Sequence, residues 1–531
     1  MSFMREITKT TGDNRVGLWR PSFVKVDSRL FVFGGGGNAT SDLHVLDLRN
    51  MKWETIQNVK GTPPCKRYGH TSTFWNNCIV VFGGCDEFQN YYNDIHLFDI
   101  NNSTWIQPQI EESVPARYMH SASVYNNKLF IYGGFAKNPE CTYVLDDLSV
   151  LDLNNFTWTQ FRGIPPRYNH SATLIGRKMY IYAGKNQQGD TVTDLFVLHL
   201  DTPPYTPRLV LTGQMVLLKS HHYCEAICGK LVVFGLYNHD AYGLWVLDLD
   251  RLEWQRQDCY GSFDIGGWNY FTIMTDTADR VKSKKLLFLG NTDPNRPQGY
   301  DHFRDAMVIH SEAFGLYDIP QSEHALEFSS LLNNQEFSDF VVIPSNGQAL
   351  YVHQVILIAR WPHFRNMYKS GMLESEQKRL VVPERYEVML AFLKYLYSDT
   401  LDPEESCAVI CDLLVLANMY LMTRLKKLCC LTFYRHHLSL QNCAMIFETA
   451  MMVEEVGLKS LVLDFMFKHY GQLLKSDVVS SMSSFARQQF LEAVPSEAKL
   501  EISHHHHHPF HPVPYMSISK HNAKCKISIL G

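Results

Sequence analysis

The tetrapeptide Arg67-Tyr68-Gly69-His70 returns as Arg117-Tyr118-Met119-His120 and again as Arg167-Tyr168-Asn169-His170, at a step of 50 residues. A fixed period of this size marks a repeat architecture, in which each unit packs only on its neighbours. Thirteen residues after each His an apolar run ends in glycine, at Gly83-Gly84, Gly133-Gly134 and Ala183-Gly184. Asp94-Ile95, Asp147-Leu148 and Asp194-Leu195 follow, then Asp99, Asp152 and Asp201, and in two copies Trp105 and Trp158.

Within one period the runs Thr71–Trp75, Cys78–Phe82, Ile95–Ile100 and Thr104–Ile106 are β-branched and aromatic, and Asn, Gly and Asp clusters divide them. Such runs read as strands. Asn76-Asn77 and Asn126-Asn127 occupy a tight hairpin turn, since Asn tolerates positive φ. Four antiparallel strands per period make one short sheet whose faces neighbours must cover, and radial packing of blades does this.

The recurring Gly-Gly, aspartate-bearing strand and Trp resemble the kelch repeat. That resemblance implies a β-propeller, and six blades are legible between 18 and 319. Blade 1 has Gly34-Gly35, Asp42-Leu43, Asp47 and Trp53, with Pro21 in the His slot. Blade 5 has His222, Gly235, Asp248 and Trp254. Blade 6 is the most decayed, with Tyr270 in the His slot, an insertion over Asp276–Lys284, Gly290 and Asp305. Two segments could supply its outer strand: Phe314–Ile319, or Met4–Thr8 of the N-terminal segment 1–17 folding back to close the ring.

Near Pro320 the grammar changes to helical periodicity. Ala325 to Leu332 reads as a short amphipathic helix and Phe337–Ile343 as a strand. Asn346-Gly347 turns into Ala349–Val352, and helices follow over His353–Arg360 and Pro362–Ser370. Leu380–Val382 is a short strand, and Pro383 opens a helix whose Val388, Phe392, Tyr395 and Leu396 share a face. Cys407–Tyr420 and Arg424–His436 continue as helices. This order resembles the BTB (POZ) domain over 324–436. The matching residues are Ser338-Asp339, Val352–Leu357, Ala359-Arg360, Phe364–Tyr368, Phe392–Tyr397 and Leu414–Asn418, with Trp361 a departure that leaves the fold untouched. Ser439–Ala444 resembles the opening of a BACK domain, truncated here to helices within 437–497. The segment 498–531 carries His504–His508 and Pro509, Pro512 and Pro514, a composition that resists packing. The weak metal affinity of such a tract is not a structural site, so no metal or other cofactor is expected.

The 13 cysteines form no C-x-x-C, and the net charge is −5. These point to reduced thiols in the cytoplasm, with the nucleus or an endomembrane surface as alternatives, and they give no electrostatic case for nucleic acid. Met1–Val16 is wrong for a signal peptide, and no apolar run reaches membrane-spanning length.

Repetition argues against catalysis. An active site is a single constellation, so His70, His120 and His170, Asp94, Asp147 and Asp194, and Arg67, Arg117 and Arg167 read as scaffold, the His side chains bonding within each blade. Gly34–Gly37 ends a strand and is followed by no Gly-Lys-Ser/Thr, so it is no phosphate loop. Function should sit where the blades vary. The residue after each repeat Arg is aromatic in Trp19, Tyr68, Tyr118, Tyr168 and Trp268, and Ser220 in blade 5. The next position varies most, through Arg20, Gly69, Met119, Asn169, His221 and Asn269. By the kelch resemblance this loop lies at the substrate rim, which makes Trp19, Arg20, Tyr68, Tyr118, Tyr168, His221 and Trp268 candidate protein contacts. The alternative is that the aromatics pack between blades. Loops after the glycines, as in Asp86–Tyr92, Phe135–Tyr143 and Tyr237–Tyr242, add further candidates.

The BTB resemblance implies a homodimer face on Leu326, Phe328, Leu331 and Leu332. It also implies a cullin-3 face on Met372-Leu373-Glu374 with Tyr368, whose alternative reading is a solvated charged loop. The whole resembles non-enzymatic substrate adaptors of cullin-3 ubiquitin ligases, in which the propeller holds a protein substrate. The kelch-first order is similar to the leucine-zipper-like regulator family, which implies a Ras-type small GTPase as substrate. The rival reading is a non-degradative dimeric scaffold for cytoskeletal or signalling proteins.

Overall fold

A computed structural model of the chain describes residues 6–13, 16–37, 40–218, 221–238, 241–257, 263, 267–275, 283–292, 301–320, 328–372, 376–496 and 498. Leu326, Leu373, Glu374, most of the 276–284 insertion and the His504–His508 tract lie outside them.

The 50-residue period becomes a ring of antiparallel sheets. In blade 2 the strands are Thr71–Trp75, Cys78–Phe82, Ile95–Asp99 and Thr104–Ile106, in spatial order from the axis outward. Their inner hairpin turns at Asn76 and Asn77, both at positive φ. The inner strands of the other blades are Ser22–Val26, Ser121–Tyr125, Ser171–Ile175, Tyr223–Ile227 and Gly267–Thr275.

The ring closes through the N-terminus. Glu6–Lys9 pairs antiparallel with Asp305–His310, Ile7 opposite Met307, and so becomes the outermost strand of blade 6. Thr10 then donates its hydroxyl to Phe303 O at 2.7 Å. The alternative segment forms a 3-10 turn at Ser311–Phe314 and no strand thereafter. The chain thus ties its first strand to its last blade, a long-range closure that covers the edge of Asp305–His310.

Apolar burial falls at the seams. A separate cluster lies between each pair of neighbouring blades. The outer-strand tryptophans reach across them: Trp53 joins the cluster between blades 6 and 1, Trp105 that between 1 and 2, and Trp158 that between 2 and 3. A blade alone therefore leaves its largest side chain uncovered.

The second region has one small sheet, with Phe340–Ile343 antiparallel to Leu350–Val352 and parallel to Arg379–Val381. Helices α1 (Gln354–Arg360), α2 (Pro362–Lys369), α3 (Tyr386–Ser398), α4 (Cys407–Met419) and α5 (Thr423–Thr432) pack on it. Helices α6 (Cys443–Met452), α7 (Val456–Lys468) and, later, Ser484–Ala493 share the same core. Trp361 is fully buried and stacks on Phe364, with Phe392 and Tyr420 edge-on.

Two expectations shift. α3 begins at Tyr386, because Arg385 is extended at φ −66, ψ 154; Pro383 lies before it. The expected amphipathic helix is, over the described residues, a single 3-10 turn at Ser329–Leu331. No helix of the described residues is long and apolar enough to cross a membrane.

Candidate functional site

The repeated polar residues build the scaffold beneath one face of the propeller. Arg67 donates to both Asp94 oxygens, at 2.6 and 3.0 Å, and to Gly83 O at 3.1 Å. Arg117 repeats this with Asp147 at 2.6 and 2.9 Å and with Gly133 O. Arg167 reaches Asp194 at 2.5 Å. Each pair ties the loop entering the innermost strand to the start of the third strand of the same blade. Burial alone would raise the Asp147 carboxyl; Arg117 outweighs it and holds the group below the usual range. The Asp94 carboxyl is likewise depressed, with His96 and Arg67 overcoming burial.

The histidines behave differently from expectation. His120, His170 and His222 bond between blades, not within them. His120 Nε2 shares a 3.0 Å hydrogen bond with Thr71 Oγ1, His170 with Ser121 Oγ at 2.8 Å, and His222 with Ser171 Oγ at 2.8 Å. The partner is the first residue of the preceding blade's inner strand, which stands against the ring. The doublet Gly83-Gly84 makes room: a Cβ on Gly83 would lie 2.7 Å from His120 Cε1, and one on Gly84 2.9 Å from His70 Cβ. Gly84 N donates to Arg117 O at 2.8 Å, so the same doublet stitches the seam through its backbone. Burial, seconded by Arg67, pushes His70 down to about 3. Burial with the neighbouring His222 does the same to His170, to about 3.

Above this scaffold four of the variable loop positions, in blades 1 to 4, form a backbone arc. Gly69 N donates to Arg20 O, Met119 N to Gly69 O and Asn169 N to Met119 O, at 2.9–3.1 Å. All four residues lie at φ between 54° and 66°. The positions that look free to vary are thus fixed in backbone and variable only in side chain. From this arc Arg20 Nη1 reaches Asn169 Oδ1 at 2.7 Å, and His221 Nδ1 lies 3.3 Å from the same oxygen. Blades 1, 4 and 5 meet there at the channel mouth.

Around it runs an arc of aromatic rings. Trp19 and Tyr68 stand 4.8 Å apart, Tyr68 and Tyr118 6.2 Å, Tyr118 and Phe135 5.8 Å, and Phe135 and Tyr168 5.1 Å. Trp19, Tyr118 and Tyr168 are half-buried, and Tyr68 is buried. Trp268 is only 2% exposed and sits in the core between blades 5 and 6. The inner strand of blade 6 starts early, at Gly267, so Trp268 is in the ladder opposite Gly290 rather than in a loop. Trp268 therefore packs between blades, while the half-buried rings of the arc remain candidate contacts.

The loops after the glycines stand on the same face, since Tyr68 pairs with Cys85, Tyr118 with Phe135 and Tyr168 with Lys185. In blade 2, Asp86 accepts from the backbone N–H of Phe88 and Asn90 and from Tyr92 Oη. Asn186 makes the same turn in blade 4 through Gln188 and Asp190. On matched scaffolds the tips differ: Gln188 in one, and in the other Phe88, 84% exposed. Tyr143, 37% exposed, lies opposite Ala136 in the neighbouring ribbon, whose Lys137 reaches Gln89 O. Sequence reading took in these loops as segments and did not single out Phe88; its apolar tip between Asp86 and Asn90 was the available signal.

On the BTB side Tyr368 is 38% and Met372 52% exposed, and Phe328 37%. Leu331 and Leu332 are half-buried against the core. Among the described residues no three His, Cys, Asp or Glu side chains converge as a metal site.

Comparison with known proteins agrees with this architecture. The KLHDC2/KLHL20/DRC7 kelch-repeats domain matches residues 6–164, and the BTB/POZ domain matches 328–437. Protein ral2 of Schizosaccharomyces pombe is 22% identical over 561 residues, 82% of this chain and 90% of its own length. Kelch domain-containing protein 3 of Homo sapiens is 28% identical over 151 residues, 26% of this chain and 39% of that protein. The solved structure of YjhT aligns with a TM-score of 0.44 at 14% identity, over 56% of this chain and 95% of that one. The chain carries an N-terminal kelch-repeat propeller followed by a BTB/POZ domain and C-terminal helices.

Proposed function

We propose that this kelch–BTB chain is a substrate adaptor of a cullin-3 ubiquitin ligase, its propeller binding a protein substrate and its BTB domain binding cullin-3 and a second copy of itself. The coarser statement, an adaptor or scaffold built from two interaction modules of typically non-catalytic kind, rests on the domains themselves. The observation that carries the finer reading is the open propeller face. It combines a hydrogen-bonded backbone arc, an aromatic arc and an exposed Phe88 in the same chain as a BTB domain. Exposed aromatics on rigid turns are the usual anchors of protein contact. Such a protein performs no bond chemistry; it supplies proximity. The kelch-first order, by its resemblance to the leucine-zipper-like regulator family, supports a Ras-type small GTPase as the substrate class, and the similarity to ral2 spans 90% of that protein.

A pulldown of the purified chain against the N-terminal domain of cullin-3 tests it, beside a Met372→Ala/Glu374→Ala variant. Binding by the wild type and loss in the folded variant is the expected result. A well-folded dimer that ignores cullin-3 would replace the ligase reading with the scaffold reading, in which the BTB domain only dimerises.

A further inference from the structure

The repeat and the BTB region are joined by more than a linker. The third strand of blade 6 ends at His310, and in the 3-10 turn Ser311–Phe314 that follows, Ala313 and Phe314 stay in the seam between blades 5 and 6 while Glu312 meets the helices. Glu312, 4% exposed, pairs with Lys427 of α5. Lys427 also lies 3.7 Å from Glu455, and Lys426 pairs with Glu455 at 2.8 Å. Four charges from three elements thus meet in a buried cluster. Gly457, in the first turn of α7, stands so close that a Cβ there would overlap Glu312. A Cβ on Gly315 would lie 2.6 Å from the Tyr434 ring. Tyr434 Oη in turn accepts from Gln257 Nε2, beyond the outer strand of blade 5, at 2.8 Å. Tyr317 belongs to the BTB core itself, and Arg424 donates to Pro320 O at 2.6 Å.

We propose that the propeller and the BTB–helical region act as one rigid body, latched by the Glu312–Lys427–Glu455 cluster, which holds the propeller's open face in a fixed orientation to the BTB surface. Isolated repeats and helices need no buried ion cluster to fold. An isolated buried charge is costly, and Glu312 draws its partner from the other region, so slippage that left Glu312 buried would strand its carboxylate, while Lys427 keeps Glu455. The two close glycine approaches add steric fit, because they tolerate one docking pose and no slippage. The unit formed by both regions runs to Ala493. The proposal is independent of what the propeller or the BTB domain binds.

Distance measurement on the full chain decides it. Click-reactive amino acids at positions 188 and 394, both exposed, would carry a donor and an acceptor fluorophore, with excess unlabelled chain to suppress transfer between copies. Single-molecule transfer should give one narrow distance for the wild type. Gly457→Ala should broaden it. Alanine favours a helix more than glycine does, so α7 itself is strengthened while the docking surface is pushed apart. Lys427→Gln should broaden it as well, and Lys427→Arg, which keeps the charge, should restore a narrow peak. Circular dichroism checks that each variant keeps both its sheet and its helix content. A broad wild-type distribution overturns the proposal, and so does a narrow peak at the wild-type distance in both Gly457→Ala and Lys427→Gln.

Discussion

Arg20 Nη1 donates a 2.7 Å hydrogen bond to Asn169 Oδ1, joining blade 1 to the blade opposite it in the ring. A cation held by one amide oxygen, which His221 also approaches, braces the channel mouth from three sides. Hydrogen bonds to charged groups contribute about 1.5–3 kcal/mol when buried, and less at a half-buried site such as this. Arg20→Ala should therefore lower unfolding free energy by about 1–2 kcal/mol in urea titration. Asn169→Ala should overlap with it, so that a double-mutant cycle shows a coupling of about 1 kcal/mol rather than additivity.

The three Arg–Asp pairs are a graded series. Arg117 and Asp147 are both fully buried, Asp94 is partly exposed and Asp194 is 44% exposed. Breaking a buried pair leaves an unmatched charge and costs about 3–5 kcal/mol, whereas exposed pairs contribute about 0–1 kcal/mol. Replacement by Met should destabilise in the order Arg117, Arg67, Arg167. Chemical denaturation of the three variants checks the order; equal losses would mean that the repeats share the strain around the ring.

How far the repeat was legible follows from where its partners lie. The Arg–Asp pairs and glycine doublets recur with the period, so the sequence displays them as scaffold, and the strand bounds of blade 2 agree to within a residue. The histidine bonds did not follow, because His170 finds Ser121 49 residues back, in a different blade, and nothing local marks that hydroxyl. Ring closure left two options because Glu6–Lys9 carries none of the repeat's features, and only its pairing with Asp305–His310 decides. The Glu312 cluster belongs to no period at all. Trp268 matched the rim by position, but the early start of its strand turned it into core.

The buried histidines make the ring acid-sensitive while Asp94 and Asp147 are still ionised, and Glu225, raised by burial to about 7, opposes them over part of that range. His70 and His170 are lowered to about 3 and His222 to about 4, burial being the chief cause in each. An unfolded histidine takes up a proton near pH 6.5, whereas these folded ones do not. Stability is therefore complete above about pH 6.5 and falls as pH drops toward 4, each group adding a slope of about 1.4 kcal/mol per pH unit. The depressed Asp94 and Asp147 act lower: their contribution is present above the ordinary carboxylate range near 4 and is lost only as pH falls below it. Urea midpoints from pH 7.5 to 5 should fall steeply, and His170→Asn should flatten part of that slope. A His170→Asn variant that keeps the full wild-type slope would show that this histidine is solvated.

The N-terminal strand is structural despite its exposure. Glu6–Lys9 is exposed throughout, yet it supplies the last strand of blade 6 and the buried Thr10 contact. Removing residues 1–10 should lower the cooperative unfolding temperature and expose the edge of Asp305–His310, seen as loss of amide protection there.

Exposure separates binding from packing on the propeller face. Phe88 stands 84% exposed on a turn fixed by Asp86, so truncation removes contact area without opening a cavity. Trp268, at 2%, fills the seam between blades 5 and 6, and its loss would cost about 3–5 kcal/mol. Phe88→Gln, which copies the Gln188 tip of blade 4, should leave the urea midpoint unchanged and weaken binding of the propeller's protein partner by tenfold or more, the range of an interface anchor. Trp268→Ala should lower stability first and affect binding only through it. Cullin-3 binding, carried by the BTB domain in the adaptor reading, should be untouched by Phe88→Gln. Unchanged partner affinity in that variant would move the contact inward, to the half-buried Trp19, Tyr118 and Tyr168 around the channel mouth.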